Sequence, residues 1–168
     1  MVHSNTNSPV SNNLAHNLVE QAESLDAISQ LLELGARKEG ASFAAIAKSC
    51  SRDIACGAQA LRIVAGLIEQ PNKQLGSTTM PLALRQRIAV WFAGKHNEAD
   101  IGELLEDYAS CAFELAEHSL STACELDHDS LVLMQAHLWL RNSIMTLSPL
   151  MEGIYSYWRS IDSQKVAA

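Results

Sequence analysis

Lysine and arginine are absent from residues 97–140, a stretch that carries ten carboxylates. With a net charge of −7 and a pI near 5.3, the chain lacks the clustered cations that a phosphate backbone demands, which excludes direct nucleic-acid binding through a basic surface. No apolar run is long and charge-free enough for a membrane helix. The first residues have neither the basic start nor the apolar stretch of a signal peptide. The four cysteines, Cys50, Cys56, Cys111 and Cys124, form no C-x-x-C pair, so they predict neither a zinc knuckle nor a disulfide framework. They read as reduced, buried thiols, and the protein as a soluble cytoplasmic one. Phosphate loops, nucleophile elbows, haem-attachment motifs and zinc-protease motifs are all missing.

What is present favours helix. Hydrophobic residues make up 48% and charged residues 18%, too apolar a mixture for disorder. Alanine and leucine are frequent while valine, threonine and tyrosine are sparse, and unbranched side chains lose little rotamer freedom in a helix. Period-2 alternation is not found. Residues 1–13, polar and rich in Ser and Asn, are expected to form a disordered tail, and 14–165 a single helical domain of ordinary size.

Leu14, Leu18, Ala22, Leu25, Ile28 and Leu32 recur at helical spacing and predict a first helix that Gly35 ends in the left-handed conformation. A second helix runs from Ser42 to Pro71. Its many alanines and Gly57 allow a neighbour to approach closely, with Ile46, Ile54, Leu61, Val64 and Ile68 along the seam. Pro81 opens a short third helix ending near Gly94, and Asn97 with Asp100 caps a long fourth one. The apolar centre of that fourth helix is expected at Ile101, Leu104, Tyr108, Leu115, Thr122 and Leu126, with Phe113 and Leu120 on a second face in want of a partner. Residues 131–140 are apolar on nearly every side, which predicts a buried helix capped by Asp127 or Asp129. At Ser148 and Pro149 the chain either kinks or begins a sixth helix. The expected fold is all-α: a compact antiparallel bundle of five or six helices with a central apolar helix near 129–147.

Few groups in this pattern suggest chemistry. Glu114 with His118 and the Glu125-x-x-His128 spacing resemble half of a carboxylate-bridged metal site, but the second copy that such bundles need is missing, so no metal and no cofactor is expected. Cys111 and His118 are seven residues apart, about 10 Å along a helix, too far for a thiol and its base. His137, one turn before Arg141, would stay neutral if buried beside that cation. With Trp139 the pair could line a pocket for a small ligand.

Charge distribution is the more informative signal. Asp100, Glu103, Asp107, Glu114 and Glu125 fall in one sector of the fourth helix, a strip suited to a basic partner such as a DNA-binding protein. Phe113, Leu120 and Trp158 offer apolar surface beside it, enough also to suggest a homodimer. The sequence therefore predicts a non-catalytic regulator, adaptor or inhibitor that binds another protein. Its alternative is a helical-bundle enzyme or small-ligand-binding protein with a site at His137, Trp139 and Arg141.

Overall fold

A computed structural model describes residues 9–37, 41–70, 80–92, 101–126 and 130–166. They form five helices, α1 (Pro9–Ala36), α2 (Ala41–Glu69), α3 (Leu82–Phe92), α4 (Ile101–Leu126) and α5 (Leu131–Val166), and no strand occurs among the described residues. The fold is an all-α bundle. Around the ring α1 packs on α2, α2 on α4, α4 on α5 and α5 back on α1, while α3 lies against α2 and α4. Contacts fix every neighbouring pair of the ring as antiparallel. Gly35 meets Val132 at one end of the α1–α5 pair and Leu14 meets Gly153 at the other; Gly57 meets Phe113, and Cys50 meets Ala116, between α2 and α4.

The first two helices follow the sequence closely. Leu18, Ala22, Leu25, Ile28 and Leu32 of α1 are buried, as are Ile54, Leu61, Val64 and Ile68 of α2. Small residues bring the two together: the Ser29 hydroxyl reaches the Ser51 carbonyl at 3.0 Å and the Ser51 hydroxyl at 2.9 Å. On their outer side Arg62 donates to Asp26 at 2.6 Å. The Gln70 amide still donates to Gly66, so α2 continues to the residue before Pro71, where the missing N–H stops it.

Four expectations are corrected. Helix α1 begins at Pro9, inside the segment read as a tail, because proline is accommodated at a first helical position; residues 1–8 lie outside those described. Gly35 keeps a helical backbone, and its role is spatial: a Cβ there would lie 2.5 Å from Val132 Cγ1. Helix α4 is rotated relative to its expected setting. Its buried stripe is Leu105, Tyr108, Ala109, Ala112, Phe113, Ala116, Leu120 and Ala123, whereas Leu115, Thr122 and Leu126 face outward. Alanines carry little weight in a hydrophobic pattern, yet four of them line this interface because α2 comes close. Finally, residues 131–147 are not central. Helix α5 touches α1 and α4 on one side only, and Leu131, Met134, Leu138 and Met145 remain 79%, 48%, 54% and 68% exposed.

Helix α5 is also a single element across Pro149. Ser130 caps its start, accepting from the Leu133 amide at 3.4 Å. The asparagine and aspartates expected to cap α4 and α5 lie outside the described residues.

The tightest point of the bundle is Gly57, where an added Cβ would fall 2.5 Å from Phe113 Cε1 and 2.7 Å from its Cζ. Gly57→Ala should destabilise the fold by about 1–3 kcal/mol, since Phe113 is buried and cannot retreat without disturbing its neighbours. Gly66, on the exposed side of the same helix, has nothing within 4 Å. Gly66→Ala should therefore stabilise by roughly 0.5–1 kcal/mol through helix propensity alone. Urea unfolding of the two variants, with opposite displacements of the midpoint, checks the pair.

Candidate functional site

The rotation of α4 places two of its carboxylates, Glu106 and Glu114, along one open groove. Between α4 and α5 runs a cavity of about 580 Å³. Phe113 and Leu147, both buried, form its floor together with Ile144 and Met151. Glu106, Glu114 and Glu152 supply charge at its sides. No lysine or arginine lines it among the described residues, although Arg159, stacked 5.1 Å from the Tyr155 ring centre, adjoins one end.

Glu103, Asp107, Glu114 and Glu125 are all exposed on α4 and share its outward sector, so the acidic strip exists as a surface; Asp100 lies outside the described residues. The expected apolar companions are placed elsewhere. Phe113 and Leu120 are interior, the first filling the notch at Gly57. Trp158 is half-buried, its ring covering Gly102 so closely that a Cβ would stand 2.5 Å from Cζ2. It meets Tyr157 edge-on at 5.1 Å, and the Tyr157 hydroxyl donates to the Ile68 carbonyl at 3.2 Å.

Exposed apolar surface instead comes from Leu131, Met134, Leu138 and Met145, at successive offsets of three, four and seven on the side of α5 away from the buried Leu133, Ala136, Leu140 and Leu147. An apolar run that fills every face of a helix had concealed this second stripe. Of the two stripes only Glu114 lines the groove itself.

His137, Trp139 and Arg141 do not converge on a pocket. His137 Nε2 lies 2.8 Å from Glu117 Oε1 across the α4–α5 seam, a structural partner that the sequence spacing did not reveal. Trp139, two residues on, points to another side of α5 and is half exposed, and Arg141 is exposed. Among the described residues no three His, Cys, Asp or Glu side chains gather closely enough to hold a metal ion. The thiols are free; Cys50 and Cys56 are buried, but Cys111 is exposed. Burial, followed by the Asp53 charge, pushes the Cys50 thiol up to about 11, and burial with Glu114 and Asp107 raises that of Cys111. Such thiols stay protonated and are poor nucleophiles.

One partly buried ion pair joins α2 to α3. Asp53 of α2 accepts from Arg87 of α3, which fastens α3 to the bundle. Burial raises the Asp53 pKa, and the Arg87 and Arg52 cations pull it back.

Glu106 is the most perturbed group of the groove. Burial first, then the charges of Asp107 and Glu103, lift its carboxyl from 4.5 to about 7. The fold thus favours its protonated form, so stability present below pH 4.5 is lost as pH rises towards 7. Glu106→Gln should remove that loss: the variant should exceed the wild type by about 1 kcal/mol at pH 8, after discounting for partial exposure, and match it near pH 4. Thermal unfolding at the two pH values measures the difference.

No protein family model, curated protein or solved structure matches this chain, so the groove is read from its own chemistry alone.

Proposed function

We propose that this protein is a non-catalytic binding module that holds a basic, amphipathic segment of another protein on its α4–α5 face. The observation that carries the reading is the groove itself: an apolar floor of Phe113, Leu147 and Met151 between Glu106, Glu114 and Glu152. Apolar residues with a few charges of one sign suit an occupant that is apolar on one side and cationic on the other. The exposed carboxylates of α4 and the exposed apolar stripe of α5 extend the same character along the bundle. From Leu131 to Ser156 the face covers about 38 Å at 1.5 Å per residue, room for a helix of several turns.

A regulator or inhibitor that masks the cationic surface of a DNA-binding protein fits this description, with carboxylates in the place of phosphates. Free thiols with raised pKa values suit a reducing compartment such as the cytoplasm. Self-association through the α5 stripe is the competing use of the same surface.

The test is binding of an amphipathic Leu–Lys peptide of about 18 residues, long enough for five turns, followed by fluorescence anisotropy. Replacing Glu106, Glu114 and Glu152 together by Gln should weaken binding about tenfold, and raising salt should weaken it further. Affinity should rise between pH 6 and pH 8, as Glu106 ionises beside the peptide cations. Equal affinity for a Leu–Glu peptide, or indifference to the triple substitution, would overturn the proposal. A concentration-dependent dimer that excludes the peptide would assign the face to a second copy of the chain.

A further inference from the structure

The side of the ring opposite the acidic groove carries a second cavity, also of about 580 Å³, where α3 crosses the outside of α2 near the end of α1. Its chemistry is inverted. Arg37, Lys48 and Arg52 line it, with Glu33 as its sole carboxylate among the described residues. Three cations and one anion give a local charge of +2 in a chain whose net charge is −7.

Three other arginines of α2 and α3 are committed elsewhere. Arg62 pairs with Asp26 and Arg87 with Asp53, and Arg85 donates to the Met80 carbonyl at 3.0 Å. Arg37, Lys48 and Arg52 have no ion-pair partner within 4.0 Å among the described residues, although Glu33 sits four residues before Arg37, in the last turn of α1. Arg52 also faces the buried Asp53, whose own charge is taken up by Arg87. The rest of the wall is apolar or weakly polar: Leu84 from α3 and Pro81 just before it, Ala55 and Cys56 from α2, and the Gln59 amide. Burial raises the Cys56 thiol, which keeps it neutral and adds no repulsion towards an anion.

We propose that this cavity binds a small organic dianion, of the phosphomonoester type, with its charged head between Arg37, Lys48 and Arg52 and its apolar body against Leu84 and Pro81. A charge of −2 neutralises the site, and guanidinium groups bond doubly charged oxyanions through several N–H donors at once. Its volume is that of a small-molecule pocket. Glu33 disfavours any larger negative charge. The site shares no lining residue with the α4–α5 groove, so it stands or falls independently of the protein-binding reading.

Phenyl phosphate is the probe, titrated into the intact protein and followed by amide chemical shifts. Saturable shifts confined to α1, α2 and α3 are expected, with benzoate and phenol each at least roughly tenfold weaker because they carry one charge and none. Lys48→Gln and Arg52→Gln should each weaken phenyl phosphate about tenfold, while Glu33→Gln should tighten it. Lys48 and Glu33 are exposed, so their variants test the site without depending on the Asp53 environment. Non-saturating shifts, equal binding of benzoate, shifts centred on α4 and α5, or unchanged affinity in Lys48→Gln would each overturn the proposal.

Discussion

The close approach of α2 to α4 at Gly57 is the constraint on which the other features depend. Phe113 enters the space that a side chain at Gly57 would take, and in doing so brings Ala109, Ala112 and Ala116 against the small residues of α2. Burying a phenyl ring contributes about 2–3 kcal/mol, but its position has the larger consequence. With Phe113 turned inward, α4 must present Glu103, Asp107 and Glu114 outward, and the opposite side of the ring becomes the floor of the α4–α5 groove. A single missing Cβ on α2 thus sets the rotation of α4 and, through it, the acidic surface.

That dependence explains which parts of the sequence could be read. Helix α1 was legible because Leu18, Leu25, Ile28 and Leu32 are large and sit on one narrow stripe. Helix α2 was legible for the same reason, and its small side chains announced a close neighbour. Helix α4 was misread by less than half a turn. Leu104, Tyr108, Leu115 and Leu126 outweigh alanines in any hydrophobic pattern, while the alanines at 109, 112, 116 and 123 are the ones a close partner selects. The acidic strip survived the error because Glu103, Asp107, Glu114 and Glu125 lie outside the core in either setting, about a quarter turn from the expected stripe and opposite the observed one.

Helix α5 failed for a different reason. An apolar surface on every side is compatible with a buried helix and also with a peripheral helix that has a second, outward stripe. Pattern alone does not separate these cases. The packing of α5 against α1 and α4 along one side, and the exposure of Leu131, Met134, Leu138 and Met145 on the other, decide for the second. The groove, the His137–Glu117 bond and the basic cavity could not be read for a related reason. Each joins residues from different helices, whose relative rotation periodicity does not fix.

Seen across the bundle, the two cavities divide the charge. The acidic one lies between α4 and α5 and the basic one against α1, α2 and α3, on opposite sides of the ring. Such a separation orients charged molecules before contact, sending cations and anions to different faces. The wall between the cavities is thin: Cys56 lines the basic one, and its neighbour Gly57 touches Phe113, which lines the acidic one. Thinness does not by itself couple them. Coupling requires an element with two arrangements that both ligands bias. Phe113 has no second place to go on the α2 side, because Gly57 already leaves it no slack, and α3 is tied to α2 by the Asp53–Arg87 pair. A rigid partition of this kind favours two sites that fill independently, so one surface can hold its partner whatever occupies the other.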